Sequence, residues 1–278
     1  MPFSRGDEDQ METRSKSIKM FATRHPFFSA LLFFAISFCL DIGIIVEGHY
    51  VVPEIYVGLV DVVVQSLLAL GVLGWLGWLG LAGFNGLSRW RSFYLLWLPA
   101  LLGLLYFASA FATAVSGATA VVLAAVSALL TGLEEEARFR GVILQALLPI
   151  GPLGGAVLSS LLFGLAHMNN FITHLPAPLV LAQVIGAFLL GFGFAACRLR
   201  TRTIWPLIIF HALYDLPANI TLFSTRSIAA IHSMLSTLSP MTAAAALIVP
   251  SFVLACYGLF LLRPAFLRRQ GQKQLETS

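Results

Sequence analysis

The feature that most constrains this chain is a series of apolar runs, each near the length of a membrane-spanning helix, joined by short polar links. A helix rises about 1.5 Å per residue, so crossing the hydrocarbon core takes about 20 apolar residues. The first run covers roughly Pro26 to Val46 and the second Tyr56 to Phe84, long enough to tilt or to include an interfacial turn. The third covers Phe93 to Ala114 and the fourth Ala118 to Leu133. After a short segment ending at Pro149-Ile150-Gly151-Pro152, a fifth covers Leu153 to Met168 and a sixth Leu179 to Cys197. A seventh begins near Ile204, with Pro206 tolerable in its first turn, and the eighth covers Met241 to Leu262. Only 11% of the residues are charged, against about 25% in soluble domains, so lipid must solvate the apolar excess. The expected fold class is therefore all-α: a polytopic membrane protein of about eight transmembrane helices, with a polar site inside the bundle.

The charges that remain are informative. The formal net charge is +4, yet the basic residues lie in short segments between apolar runs. That pattern sets membrane orientation rather than forming a nucleic-acid surface. Arg89 and Arg91, the run Arg198 to Arg202, and the tail with Arg263, Arg268, Arg269 and Lys273 fall on one side if both termini are cytoplasmic. The links with Glu47 and Glu54, and with Asn219 to Pro240, fall on the other. The organisation expected is a polar cytoplasmic segment at 1–25, transmembrane helices at 26–114 and a core at 115–217. A loop and last helix at 218–262 and a basic cytoplasmic tail at 263–278 follow. No secretory leader is expected at Met1, because the first 25 residues mix Asp7, Glu8, Asp9 and Glu12 with Arg14, Lys16 and Lys19. Cys39, Cys197 and Cys256 lie within or beside apolar runs with no metal-ligand spacing, and read as packing residues.

Leu133-Glu134-Glu135-Glu136-Ala137-Arg138-Phe139-Arg140-Gly141 breaks the apolar pattern with three acids and two arginines. Ionised groups at bilayer depth cost about 2.5 kcal/mol or more each, so they persist where they pair or work. On a helix Glu136 and Arg140 form an i,i+4 pair, and Glu135 lies about 100° round from Glu136. One carboxylate can be held by the arginine while its neighbour stays free for chemistry.

Three further polar features lie beside this stretch: Phe163-Gly164-Leu165-Ala166-His167, then Asn169-Asn170, then His211-Ala212-Leu213-Tyr214-Asp215. His211 and Asp215 share a helix face, so the carboxylate can orient the imidazole. Taken singly, a histidine at a helix end reads as interfacial, Glu136 with Arg140 as a structural ion pair, and Asp41 and Asp61 as structural acids. Jointly they are the parts of a hydrolytic site, with a carboxylate base for water and imidazoles for the intermediate. No Gly-x-Ser-x-Gly elbow, cysteine–histidine pair, His-Glu-x-x-His or Walker loop is present. A zinc site of one Glu and two distant histidines stays open. So does a proton-coupled transporter, although the polar motifs have no counterpart earlier in the chain. A non-enzymatic immunity or peptide-handling protein is the other alternative. Straight spans would separate His167 from the acidic stretch, so a broken or partly inserted helix is expected around Glu135 to Pro149.

Glu-Glu-x-x-x-Arg (Glu135, Glu136, Arg140), Phe-x-x-x-His (Phe163, His167) and His-x-x-x-Asp (His211, Asp215), in that order, resemble the CPBP superfamily. It includes the type II CAAX prenyl endopeptidases and the bacterial abortive-infection relatives. Phe139-Arg140-Gly141 and Trp205-Pro206 match as local context. The resemblance covers about Val115 to Pro217. It implies an intramembrane endopeptidase that cuts near the C-terminus of a prenylated or other membrane-associated peptide. Glu135 is then the base that activates water, Glu136 and Arg140 brace it, and His167 and His211 hold the water or oxyanion. Asp215 orients His211 or completes the site, and Phe163 supports it. A metal-free glutamate mechanism without a cofactor is favoured. The alternative is zinc held by Glu135, His167 and His211. The implied partners are the lipid bilayer and the peptide substrate, with no nucleic acid. The implied location is an integral, multi-pass place in a membrane, which for a bacterial source is the plasma (inner) membrane.

Overall fold

The computed structural model describes residues 17, 20, 21, 24–86, 90–112, 117–173, 175–225 and 239–263. The expectations for the segment 1–25 rest mostly outside these residues. So do the basic tail beyond Arg263, His174, and most of the Asn219–Pro240 link.

Helices dominate, as apolar runs free of backbone partners in lipid require. They are α1 (Pro26–Glu47), α2 (Glu54–Leu76), α3 (Trp97–Ala112) and α4 (Ala118–Glu135). Beyond Glu135 the chain stays helical, through a π-helical segment Glu136–Ile143, α5 (Leu144–Leu147) and a 3₁₀ turn Leu148–Ile150. Then come α6 (Pro152–Ala166), α7 (Ala177–Thr201), α8 (Trp205–Thr225) and α9 (Pro240–Leu261). Among the described residues seven helical stretches are long and apolar enough to cross a membrane, including Ala118–Ile150 as one stretch of 33 residues. The protein is an integral multi-pass membrane protein of all-α fold. Its outward faces are apolar, with Leu67 68%, Leu104 58% and Phe252 56% exposed.

The fifth run differs from its expected span. It becomes α6, only 15 residues, about 22 Å long and shorter than the bilayer core. The second run also divides: α2 stops at Gly77, whose φ of 71° is left-handed, and the Trp78 N–H closes back onto Leu73 O at 2.8 Å. The interfacial turn expected within that run is therefore the 77–86 segment.

The break expected around Glu135 to Pro149 takes the form of a π-helical interruption and not a loss of helix. The helix bulges into a π turn and continues to Ile150. It reverses at Gly151, whose φ of 101° suits only a residue without Cβ, and α6 returns antiparallel. Ser159 Oγ donates to Phe139 O at 2.7 Å, and Gly155 lies against Leu147. Glu135 and His167 are equally far in sequence from the Gly151 turn, so the hairpin brings them to one level. The separation inferred for straight spans disappears because α4 runs past the acids.

Contacts fix the remaining directions. Gly132 of α4 meets Ile208 and Ala212 of α8, while Ala120 and Ala124 cluster with Ile220 and Phe223, so the two helices are antiparallel. Gly186 and Gly193 of α7 meet Leu247 and Leu254 of α9, so these two are parallel. Small residues let such backbones approach closely where no hydrophobic drive exists between helices in lipid.

Two faces result. On one, Arg198 of α7 donates through Nε to Ala82 O at 2.8 Å and through Nη2 to Leu81 O, and the Ile204 N–H donates to Gly83 O at 3.2 Å. Tyr257 Oη near the end of α9 donates to Leu95 O at 2.9 Å, bringing the start of α3 to the same face. The opposite face gathers the 3₁₀ turns Gly48–Tyr50 and His167–Phe171 with the end of α8.

Candidate active site

The acidic stretch lies midway along the Ala118–Ile150 rod, between α6, α8 and α2. All eight residues of the π-helical segment are buried, including Glu136 at 0% and Arg140 at 2% exposure. Buried charge survives only when paired, and each charge here has a partner. Arg140 Nη1 lies 3.0 Å from Glu136 Oε1, the i,i+4 pair read from the sequence. The Arg140 guanidinium also sits 4.3 Å over the Phe163 ring and 5.7 Å from that of Phe194. Gly191 of α7 leaves the room for it, since a Cβ there would fall 3.2 Å from Arg140 Nη2.

His211 enters from α8 and its imidazole is held between two carboxylates. Nδ1 lies 2.8 Å from Glu136 Oε1, and Nε2 lies 2.8 Å from Glu135 Oε2. An imidazole that donates from both nitrogens is the protonated form; in the neutral ring one carboxylate forgoes its bond. Asp215 Oδ2 stands 3.8 Å from Nε2, on the Glu135 side. The carboxylate within hydrogen-bonding distance of Nδ1 is thus Glu136. Asp215 lies beside the other nitrogen, next to Glu135.

His167 reaches the site by way of Phe163. The two rings meet edge-on at 5.0 Å, and Phe163 meets His211 edge-on at 5.9 Å. His167 Nδ1 lies 3.0 Å from the Phe163 carbonyl of its own helix, so Nε2 is the nitrogen left for other partners. Glu135 and Asp215 are the partly accessible carboxylates, with side chains 16% and 32% exposed; Glu136 is sealed.

The zinc alternative asks Glu135, His167 and His211 to converge. Among the described residues no three His, Cys, Asp or Glu side chains form a metal-ligand group. His211 has a carboxylate on each ring nitrogen, so neither presents a lone pair to a shared point. The arrangement of these three residues does not fit a zinc ion held by all of them.

Two features escaped the sequence reading. Arg138 pairs with Asp41 Oδ2 of α1 at 2.9 Å and with Glu134 at 2.8 Å, and Gln65 of α2 donates to Asp41 Oδ1 at 2.5 Å. This buried network ties three helices together beside the site. Phe194 of α7, fully buried, packs at 5.7 Å from the His211 ring. An acid within an apolar run is the visible signal for Asp41, but nothing local names a partner 97 positions away, and Phe194 has no signal at all.

A cavity of about 1010 Å³ lies toward the face away from Arg198, lined among others by Glu54, Asp61, Thr131, Asn169, Asn170 and Asn219. Residues 116–217 match the family described as Type II CAAX prenyl endopeptidase Rce1-like, the stretch that carries the three motifs. No curated protein matches the chain, and no solved structure matches it.

Proposed function

We propose that this protein, whose residues 116–217 match the Rce1-like type II CAAX prenyl endopeptidase family, is an intramembrane endopeptidase that works through a glutamate-activated water. Glu135 takes a proton from the water, and the resulting hydroxide attacks the peptide carbonyl. The positive charge of a doubly protonated His211, held between its two carboxylates, and the Nε2–H of His167 in its imidazolium form stabilise the oxyanion that forms. Collapse of the intermediate breaks the C–N bond, and Glu135 passes its proton to the leaving amine. Glu136 holds His211 from the Nδ1 side, Arg140 neutralises Glu136, and Asp215 completes the polar wall beside Glu135. No cofactor enters these steps.

The observation that carries this reading is the bracketing of His211. Its Nε2 faces an accessible carboxylate at 2.8 Å and its Nδ1 a sealed one at 2.8 Å. One acid is positioned for proton transfer and the other for orientation. A structural ion pair needs only the second. The substrate is a peptide bond in a prenylated or other membrane-associated chain. The protein sits with both termini and the arginine-rich face toward the cytoplasm, because Lys and Arg concentrate on that side.

The test is cleavage of a quenched fluorescent prenylated CAAX peptide by detergent-purified protein. Wild type is compared with Glu135→Gln, each with and without a strong zinc chelator. Cleavage that survives chelation and fails in Glu135→Gln is the expected result. Loss on chelation with recovery on added zinc would overturn the metal-free mechanism. Cleavage by Glu135→Gln at the wild-type rate would remove Glu135 from the role of base.

A further inference from the structure

Arg198, near the end of α7, is a buried charge with no acid beside it. It is only 6% exposed and donates to the carbonyls of Ala82 and Leu81. Carbonyls satisfy its N–H groups but leave its charge in place, and buried charge is costly without a counter-charge. The charged side chain that acts on it is Arg202, of like sign, and among the described residues no carboxylate does. Arg202 is unusual in its own right. Its φ of 58° makes it the one non-glycine residue in the left-handed region among the described residues, at a helix C-cap where Gly or Asn is usual. An arginine persists in such a conformation where its surroundings or its work require it.

Both arginines line a cavity of about 510 Å³, within the about 300–1,000 Å³ range of small-ligand pockets. Arg140, already paired with Glu136, lines it from the buried side. The described lining holds no acid. It adds Gln145 and an apolar wall that includes Leu81, Leu144, Leu148 and Leu199. The cavity lies at the level of the lipid headgroups. The 77–86 segment borders it through Gly80 and Leu81, and Arg198 is one turn from the end of α7. Trp205, 41% exposed and edge-on to Phe84 at 5.6 Å, begins α8 at the same level. Tryptophan collects where hydrocarbon meets headgroups.

We infer that this cavity binds an anionic phospholipid, its phosphate on Arg198 and Arg202 and its glycerol and first acyl carbons against the leucine wall. Guanidinium forks match phosphate oxygens and are weakly hydrated, so they suit a site half in hydrocarbon. Basic pockets between transmembrane helices hold anionic headgroups on this principle. A soluble anion would meet the arginines but leave the leucines against water. A zwitterionic lipid would bring its own ammonium to a place that already holds two like charges. The inference does not rest on the protease reading.

The experiment uses the full chain in a neutral detergent, titrated with dioleoyl phosphatidylglycerol, dioleoyl phosphatidylcholine or sodium phosphate at matched ionic strength. The readout is the thermal transition, which rises with any ligand that binds only the folded state. Phosphatidylglycerol is expected to raise it saturably, and the other two far less. Arg202→Gly removes the guanidinium at a φ that glycine adopts freely, so the fold is kept, and the apparent affinity is expected to fall roughly tenfold or more. Arg202→Gln is a second variant with the same expectation. Arg263→Gln makes the same change of charge on the same face but outside the cavity lining, and should leave the affinity as in wild type. Equal weakening by Arg202→Gly and Arg263→Gln would reduce the effect to diffuse surface charge and overturn the site. Equal stabilisation by phosphatidylcholine would overturn the preference for an anionic lipid. Equal stabilisation by sodium phosphate would overturn the assignment to a lipid. Melting needs no turnover, so this test fails independently of the cleavage assay.

Discussion

At the scale of single residues, Glu135 and Glu136 are chemically the same and adjacent in sequence, yet their surroundings divide their work. Glu136 is sealed between Arg140 and His211, while Glu135 keeps 16% of its side chain accessible. Glu135→Gln is expected to lower kcat by about 10²–10⁴-fold, the range for a lost general base, with the thermal transition in detergent unchanged. Glu136→Gln should also slow turnover, by releasing His211 Nδ1, while leaving KM near wild type in the same assay. Removing one partner of a buried pair strands the other charge, so Arg140→Ala is expected to cost about 3–5 kcal/mol of stability. Arg140→Gln combined with Glu136→Gln should recover much of that loss in thermal melts. The motif residues were legible because their spacing is local: Glu136 with Arg140, and His211 with Asp215, each lie one turn apart. The bond between Glu136 and Nδ1 was not legible, because Glu136 and His211 are 75 positions apart and meet only through the α4–α8 contact.

At the scale of elements, the site depends on how closely α4 and α8 approach. A Cβ on Gly132 would sit 2.5 Å from Ile208 O, so Gly132→Ala must push the two helices apart. That movement lengthens the Glu135–His211 and Glu136–His211 contacts together. Turnover is expected to fall more steeply than the melting temperature, read by pairing the cleavage assay with a thermal melt. The Arg138 network works differently, since it fastens α1 and α2 to the π-helical segment without touching His211. Arg138→Met leaves Asp41 and Glu134 buried without their cation, and is expected to cost about 3–5 kcal/mol. Activity per folded molecule should change far less, as measured by normalising cleavage to the monodisperse fraction on size exclusion. The π turn itself was not readable from propensity. Glu-Ala-Arg-Phe-Arg are ordinary helix residues, and the bulge serves tertiary partners by turning Arg138 toward α1 and Arg140 toward α7.

At the scale of the whole molecule, exposed leucines and phenylalanines ring a core in which the charged groups sit together. Because lipid must cover that ring, an alkaline carbonate wash is expected to leave the protein in the membrane pellet and detergent to release it. Appearance in the wash would contradict an integral fold. By itself the sequence determined the all-α membrane class and the motif residues, since both follow from spacings within a single helix: apolar length against bilayer thickness, and one-turn neighbours on one face. It also grouped the basic links on one side; among the described residues, Arg198, Arg200, Arg202 and Arg263 lie at the same end of the parallel helices α7 and α9. Only the tertiary structure decided that the fifth apolar run is a short return helix, that Glu136 lies on Nδ1, and that the larger cavity lies toward the face away from Arg198. Those outcomes depend on where helices distant in sequence cross, and close packing between crossing helices is set by their combined shapes, which no local pattern records.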